Sequence, residues 1–352
     1  MVAVIKGGKP GPVVALRSDM DALPVQEPVG LAFASTATGS YEDKTVPIMH
    51  ACGHDTHMAM LLGAAKMLNE LRSQLPGTVV LLFQPAEEGV PLEEQPAGAE
   101  KMVAEGVLDD PKVDAVFGLH VFSGVPTGEI GYRSGPELAA ADKFEIVVHG
   151  RQTHGSKPWG GVDPIVVGSE IVEGLQTLVS RELDITKEPA VVSVGQFDAG
   201  VRNNIIPDQA RLVGTIRTFD EGMRDQIHRR VKEMAEKIAA AHGATANVTI
   251  ERGYPVTVND PSLTAKMLPT LERVAAGRVV ELPKITGAED FSFYARKVPA
   301  LFIVLGVTPP DQIATAASNH SPLFMVDESA LVTGMRAMAE LAVDYLSASG
   351  KR

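Results

Sequence analysis

The feature that most constrains the fold of this chain is an alternation of strand-length apolar runs with helix-length segments. Residues 78–84 form an almost unbroken apolar run, which predicts a strand buried on both faces of a parallel sheet. Further strands are predicted at 13–17 and 113–119, and helices at about 55–75, 97–105 and 328–347, while another apolar run spans residues 300–307. This order predicts an α/β fold, a mainly parallel sheet flanked by helices.

The pattern changes near Glu137, where residues 143–149 alternate like a half-exposed strand. The segments that follow are predicted to be helix, strand, strand, helix and strand, at 163–182, 190–196, 209–217, 221–241 and 247–252. This βαββαβ order is typical of a ferredoxin-like α+β domain. We therefore expect a discontinuous domain and an insert, formed by residues 1–136 with 254–352 and by residues 137–253.

Side chains that bind metals crowd one short segment, residues 50–57, just before the first long predicted helix. The segment contains Cys52 and His54, and Cys52 is the chain's only cysteine, so no disulfide forms within the chain. A cysteine two residues from a histidine can bind one divalent ion with it. The alternative is a buried cysteine beside histidines that cap the helix. Asp55 and His57 stay open between a structural and a direct role.

Acids and imidazoles also follow the predicted strands, where open α/β sheets bind their ligands. They are Glu87, Glu88, His120 and His320. Two adjacent carboxylates can divide the work, because one can bind metal while the other moves protons. Each signal alone is weak, since a glutamate pair after a strand is commonly a solvated turn and a lone histidine is commonly structural. Together with residues 50–57 they suit two adjacent metal ions.

In these motifs the chain resembles the M20 metallopeptidases, specifically the aminoacylase and hippurate-hydrolase-like amidohydrolases, the group similar to IAA-amino acid hydrolases. The matching blocks run in order along nearly the whole chain, at 17–24, 50–55, 84–89, 118–121, 153–155, 161–164, 204–207, 214–217, 287–291 and 319–321. One such block would be weak evidence, but their shared order is highly specific. The resemblance implies a zinc-peptidase-like catalytic domain with an inserted ferredoxin-like lid that dimerises.

The resemblance also implies the metal site. The metal ligands, carried over position by position, are Cys52, His54, Glu88, His120 and His320. They would bind two divalent ions per subunit, Zn²⁺ or Mn²⁺, with Co²⁺ or Ni²⁺ as further options. Glu87 would be the general base toward a metal-activated water, although the reverse roles of Glu87 and Glu88 stay open. Asp21 and Asp19 would orient ligand imidazoles, unless they only form a strand-end turn. Asp290 is expected to cap a short helix.

Three residues of the predicted lid are implied to bind substrate. His154 matches a histidine that stabilises the oxyanion, and Asn204 and Arg217 match positions that bind the substrate carboxylate. The alternatives are a solvent-facing histidine, a turn asparagine and an arginine in a salt bridge. The chain departs from the family at Trp159, its only tryptophan, where most relatives have a histidine after the proline. We expect Trp159 to pack in the lid core rather than on a substrate's acyl group.

The implied activity is hydrolysis of the amide bond of N-acyl-L-amino acids, including hippurate-like compounds, to a carboxylic acid and a free amino acid. A dipeptidase or carboxypeptidase with the same site, a metal-binding protein without activity and a cysteine hydrolase using Cys52 are the alternatives. The net charge of −12 argues against nucleic acid and anionic membranes as partners. No apolar run reaches transmembrane length. The family implies a homodimer formed through the lid.

The first residues of the chain also depart from the family. Its members carry a helix and a strand before the block at 17–24, whereas here a strand is predicted almost at once. We therefore expect a shortened N-terminus, which would uncover part of the sheet and would remove any targeting segment. A single thiol fits a reducing compartment, so the sequence predicts a cytoplasmic protein.

Overall fold

The secondary structure is known for most of the chain. The computed structural model describes residues 1–28, 30–41, 43–91 and 94–349. The strands are β1 Val2–Lys6, β2 Lys9–Asp19, β3 Thr38–Tyr41, β4 Lys44–Pro47, β5 Pro76–Gln84, β6 Ala115–Pro126, β7 Ile130–Tyr132, β8 Gly135–Leu138, β9 Ala140–His149, β10 Thr153–His154, β11 Ala190–Ala199, β12 Ile205–Ile206, β13 Gln209–Thr218, β14 Thr245–Arg252, β15 Thr257–Asn259, β16 Val279–Glu281 and β17 Ala300–Thr308. The helices are α1 His54–Leu71, α2 Gly98–Ala104, α3 Pro164–Thr177, α4 Glu221–Ala241, α5 Pro261–Val274, α6 Ser292–Ala295 and α7 Leu331–Ser349.

The first of two compact units contains a seven-stranded sheet. The unit comprises Met1–Glu137, Val258–Pro283 and the described residues from Asp290 onward. The strand order is β1-β5-β2-β6-β17-β7-β16. The central pairs β5 with β2, β2 with β6 and β6 with β17 are all parallel. Helices α1, α5 and α7 contribute buried side chains to the core that this sheet forms. The predicted mainly parallel α/β fold is therefore confirmed.

Burial explains which strands the sequence predicts. Every residue of β17 is buried, as are the last six residues of β5, so both strands read as continuous apolar runs. By contrast, β1 is mostly exposed, and no pattern in residues 2–6 predicts it. It pairs antiparallel with β5 from Val2 to Lys6, and the Met1 ammonium donates to the Phe83 carbonyl at 2.7 Å. The outer side of β5 is therefore covered by β1.

The second unit comprises Leu138–Thr257 and Lys284–Glu289. Its antiparallel four-stranded sheet has the order β11-β13-β9-β14, and α3 and α4 pack on it around a separate apolar core. Asp163 and Asp220 cap these helices by accepting from backbone N–H groups, which explains why both begin where predicted. The expected ferredoxin-like insert is confirmed as a separate antiparallel domain. Residues 284–289 also belong to it, since Ile285 bridges to Leu138.

Among the residues that the structure describes, no helix is both long and apolar enough to cross a membrane.

Candidate metal centre

Five side chains that bind metals meet at one edge of the seven-stranded sheet. Cys52 lies in the turn before α1, His54 is the first residue of α1, Glu88 follows β5, His120 lies within β6 and His320 follows β17. Strands β5 and β6 both run parallel to β2, and β17 runs parallel to β6. The carboxyl ends of all three strands therefore point to the same edge of the sheet. This is the place where open α/β sheets bind ligands.

The ligand atoms of these five side chains lie within a few ångströms of one another. The Cys52 Sγ is 3.3 Å from His120 Nε2 and 3.2 Å from His320 Nε2. The Glu88 Oε1 is 3.1 Å from His320 Nε2 and 4.0 Å from His54 Nε2. The thiol thus lies between the imidazoles of His120 and His320. The carboxylate lies between those of His320 and His54. The structure brings together all five residues that the sequence motifs suggest as ligands.

His54 shows how a cation would fit this cluster. Its Nδ1 lies 3.0 Å from the Asp21 carbonyl oxygen and 3.2 Å from Asp21 Oδ1. Its Nε2 is buried and forms no hydrogen bond within the described part of the chain. Burial lowers the pKa of His54, but Asp21, Asp19 and Glu88 outweigh it and raise the pKa to about 9. A buried ring nitrogen that faces carboxylates and has no hydrogen-bond partner is well placed to bind a cation.

The Cys52 thiol needs positive charge nearby to ionise. Burial raises its pKa far above the usual range, and the charges of Glu88 and Glu87 raise it further. A thiol in this setting is protonated unless a metal ion displaces the proton. These surroundings favour a metal ligand over a free nucleophile, because catalytic cysteines lie in electropositive sites. The mixed sulfur, nitrogen and oxygen donors suit zinc, manganese or cobalt.

Asp21 links His54 to the turn that carries both glutamates. Its Oδ2 accepts from the Glu88 backbone N–H at 2.9 Å, while Oδ1 lies beside the His54 ring. Burial raises the pKa of Asp21, but hydrogen bonds from His54 and from the backbone of Glu88 and Glu87 lower it overall. Asp21 therefore remains an anion that fixes the ring and the turn together. Glu87 is buried, and one of its oxygens lies within 4.8 Å of ligand atoms of His54 and Glu88.

His57 has a structural role, because both of its ring nitrogens have partners. Its Nδ1 lies 2.5 Å from Asp19 Oδ1, and its Nε2 accepts from the Val121 backbone N–H at 2.9 Å. Burial lowers the pKa of His57 to about 3, despite the opposing charge of Asp19. The neutral ring therefore carries its proton on Nδ1. His57 joins Asp19, His54 and His120 in a compact group, but no lone pair of its ring is left for a metal.

A buried polar network lies beside the centre, and sequence reasoning missed it. The Arg17 guanidinium donates to Asp19, Gln84 and Asp290, at 2.7, 2.9 and 2.9 Å. Burial raises the pKa of Asp19, but the charge of Arg17 and the hydrogen bond from His57 hold it well below the usual value. The prediction that Asp290 only caps a helix is wrong. Its carboxylate accepts from Arg17, Gln84 and the Ala99 N–H, and no side chain caps α6.

Several backbone positions near the centre have positive φ, among them Gly53, Ala86 and His320. Gly53 has φ 90°, and a Cβ there would lie 2.4 Å from Val121 Cγ2, so the turn before α1 needs glycine. Ala86 and His320 have φ 59° and 71°, a region that other residues than glycine rarely adopt. These two positions shape the turns that carry Glu87, Glu88 and His320. Such outliers cluster at functional sites.

The second unit contains the residues proposed to bind substrate. The His154 Nδ1 accepts from the Ser156 backbone N–H at 3.0 Å, so the neutral ring carries its proton on the exposed Nε2. The side-chain amide of Asn204 forms no hydrogen bond within the described residues, while the backbone carbonyl of Asn204 accepts from the Gly155 N–H at 2.9 Å. Arg217 is half-buried on β13. Trp159 is 80% exposed, so the prediction that it packs in the lid core is wrong.

Known proteins resemble this chain over nearly its whole length. The model of peptidase family M20/M25/M40 matches residues 15–344. Thermostable carboxypeptidase 2 of Saccharolobus solfataricus is 40% identical over 346 residues, which are 98% of this chain and 84% of the relative. An N-acetylcysteine deacetylase of Bacillus subtilis is 39% identical over 346 residues, 98% of this chain and 85% of the relative. A solved Bacillus subtilis structure, described as a dinuclear metal-binding peptidase of the M20 family, superposes with a TM-score of 0.79 at 38% identity, covering 98% of this chain and 85% of that one.

Proposed function

The chain belongs to peptidase family M20/M25/M40, and from this premise we propose that it hydrolyses the amide bond of N-acyl-L-amino acids. The products would be a carboxylic acid and a free amino acid. The observation that carries the proposal is the cluster of Cys52, His54, Glu88, His120 and His320 with a second buried glutamate, Glu87, beside it. These side chains would hold two divalent ions, Zn²⁺ or Mn²⁺, with Co²⁺ or Ni²⁺ as further options.

Glu87 is proposed to move the proton. Metal ions in such a site lower the pKa of a bound water and polarise the scissile carbonyl. The Glu87 carboxylate would take the proton of the attacking water and return it to the leaving nitrogen. The neighbouring Glu88 supports this division of work, because its Oε1 already lies 3.1 Å from His320 Nε2 among the candidate ligands. Asp21 would keep the turn of both glutamates in place through its hydrogen bond to the Glu88 N–H.

Arg217 is proposed to bind the substrate carboxylate, together with Asn204. Burial lowers the pKa of Arg217, partly opposed by Asp142, and its guanidinium has no ion pair within the described residues. A guanidinium that is half removed from water without a carboxylate partner suits an anionic substrate group, which it can bind with two parallel hydrogen bonds. His154 is proposed to stabilise the oxyanion, since its Nε2–H is available to donate.

A peptide substrate is the second candidate. One 40% identical relative is a thermostable carboxypeptidase, and a short peptide presents the same pair of groups, an amide and a free carboxylate. The two substrates differ in the group on the carbonyl side of the amide, which is a neutral acyl group in one and an amino acid with a charged amine in the other. Comparing N-acetyl-amino acids with unblocked dipeptides of the same C-terminal residue separates them.

The chain is also proposed to form a homodimer through the second unit. Strand β11 lies at the edge of its sheet, and one row of its backbone N–H and C=O groups has no strand partner among the described residues. Val191 and Phe197 on this strand are exposed, as are Ile165 and Val166 on α3. Exposed apolar side chains beside an open sheet edge are typical of a subunit interface. The expected cytoplasmic location stays a prediction.

Hydrolysis of an N-acyl-amino acid panel by metal-reconstituted protein tests the proposal. We expect metal-dependent release of free amino acid, and a loss of about 10²–10⁴-fold in kcat for Glu87→Gln with the metal content unchanged. Glu100→Gln is the matched control, since Glu100 is exposed on α2. Full activity of Glu87→Gln would refute Glu87 as the base. Bound metal without turnover of acyl-amino acids or dipeptides would refute the proposed function.

A further inference from the structure

The exposed indole of Trp159 carries an inference about substrate choice. Its side chain is 80% exposed and lies in the short 3₁₀ turn Pro158–Gly160. Large apolar side chains are ordinarily buried because their transfer out of water is favourable. An indole displayed in this way therefore suits contact with something other than the core of its own unit.

The loop around Trp159 is closed by hydrogen bonds. At its base Arg151 and Val162 exchange backbone hydrogen bonds at 2.9 and 3.0 Å, and β10 pairs with β12. Within it, the Lys157 N–H donates to the His154 carbonyl at 2.8 Å, and Gly160 N–H donates to the Lys157 carbonyl at 3.0 Å. A Cβ at Gly161 would lie 2.3 Å from the Arg151 carbonyl oxygen, so the loop closes tightly there.

This closure ties Trp159 to His154. The two residues are five positions apart, and the turn hydrogen bond between Lys157 and His154 shortens the path between them. Wherever His154 meets the reacting amide, in its own subunit or in a partner, the same loop carries Trp159 there with it. The inference therefore rests on the proposed function, in which His154 acts on that amide.

The chemistry of the substrate limits what an indole can recognise. An N-acyl-amino acid has a charged carboxylate at one end and a neutral acyl group at the other. Asn204 and Arg217 are proposed for the carboxylate, so the acyl group is the part left for an uncharged apolar side chain. An indole offers a flat surface that stacks on aromatic rings and packs on alkyl chains. It offers little to an acetyl group, which has a single methyl.

We propose that Trp159 is a specificity-determining residue, which selects aromatic and long aliphatic acyl groups over acetyl. The indole packs on the acyl group on the far side of the amide from the substrate carboxylate. The gain from such contacts grows with the apolar area that leaves water. Removing the indole should therefore affect bulky acyl groups and spare small ones.

Fluorescence provides a binding test that needs no turnover. Trp159 is the only tryptophan, so tryptophan emission reports on this position alone. Zinc-reconstituted Glu87→Gln is titrated with N-benzoyl and N-acetyl derivatives of one amino acid, and calorimetry measures binding in parallel. We expect the N-benzoyl ligand to shift the emission to the blue and the N-acetyl ligand to leave it unchanged. Calorimetric binding of the N-benzoyl ligand with no spectral change would overturn the proposal.

Kinetics of the active enzyme provides the second test. For Trp159→Ala we expect kcat/KM to fall by roughly 10-fold or more with N-benzoyl substrates and by less than about 2-fold with N-acetyl substrates. Trp159→Phe should restore most of the loss. Ile185→Ala is the matched control, because Ile185 is another exposed apolar residue of this unit outside the loop.

Three outcomes would overturn the specificity role. They are equal losses for both acyl groups, no loss for either, and a change in the mass measured by light scattering, which would place Trp159 in a subunit interface. Failure of the proposed function is recognised separately, because it would appear as no hydrolysis by the unmodified enzyme. In that case the fluorescence titration decides alone, and a blue shift with the N-benzoyl ligand would still support the contact.

Discussion

Replacing Gly53 with alanine tests how tightly the turn before α1 is fitted to β6. Gly53 has φ 90°, and the added Cβ would lie 2.4 Å from Val121 Cγ2 and 3.4 Å from the Phe324 ring. Val121 cannot move freely, because its N–H donates to His57 and its carbonyl accepts from His120 Nδ1 at 2.8 Å. A shift of Val121 would therefore also turn a candidate metal ligand.

Two costs add in Gly53→Ala. Left-handed backbone costs an alanine roughly 1–2 kcal/mol relative to glycine. Forcing a methyl into filled space costs a further 1–3 kcal/mol or so. The contact at 3.4 Å with Phe324 is ordinary and adds little. We therefore expect the free energy of unfolding to fall by about 2–5 kcal/mol, and metal affinity to fall with it.

Val121→Ala separates the two costs, because it removes the methyl groups that the new Cβ would meet. Unfolding by urea is followed by circular dichroism for the unmodified protein, both single variants and the double variant. A chelator keeps metal from biasing the comparison. The double variant should be more stable than the sum of the single effects predicts, by about 1–3 kcal/mol. Additive effects, with no coupling between the two sites, would refute the clash and leave backbone strain as the whole cost.

Two buried carboxyls give predictions about pH. Burial raises the pKa of Glu137 to about 8, against the hydrogen bond from Asn259, so the folded state keeps a proton that the unfolded chain releases. Stability should fall as pH rises from about 4 to 8, by at most about 1.4 kcal/mol per pH unit, and Glu137→Gln should remove this slope in urea unfolding. Burial raises the pKa of Asp142, but hydrogen bonds from Arg224 and His228 lower it to about 2. The stabilisation by ionised Asp142 is present above about pH 4 and is lost toward pH 2. Asp142→Asn should therefore lower the free energy of unfolding by about 3 kcal/mol at neutral pH and weaken its dependence on pH between 4 and 2. An unchanged dependence on pH in this range would contradict the prediction.

The sequence predicts the elements whose burial follows a simple rule. Strands β5 and β17 are buried on both faces, and α4 begins after an aspartate cap, so apolar runs and capping locate all three. Strand β1 escapes prediction because its residues are mostly exposed and only pairing with β5 orders them. Helix α5 was also missed. Its signal was Asp260 followed by Pro261, a cap and a first-turn proline, but Pro269 inside the helix obscured it.

For the site, motifs locate the residues but not their partners. The two ring nitrogens of His57 are satisfied by Asp19 and Val121, which lie 38 and 64 positions away in the chain. Arg17 meets Asp290 across 273 positions. No local pattern encodes such contacts, because they depend on how parallel strands and their loops assemble. The error at Trp159 has the same origin. The apolar character of an indole predicts that it is buried, whereas the way the loop closes leaves this side chain exposed to solvent.

The charge around the centre is consistent with the proposal that the cluster binds two divalent ions. Carboxylates outnumber the single guanidinium of Arg17 by four in the group formed by Asp19, Asp21, Glu87, Glu88 and Asp290. Without a metal, these acids raise the pKa of His54 to about 9 although burial lowers it, so the ring takes up a proton. Burial together with Glu88 and Glu87 raises the pKa of Cys52, so the thiol keeps its proton. Two divalent ions would supply four positive charges against these carboxylates and the Cys52 thiolate, and binding them would release both protons. The hydrogen bond that Asp21 accepts from the Glu88 N–H and the one that Arg17 donates to Gln84 hold in place the turn and the strand end that carry the two glutamates.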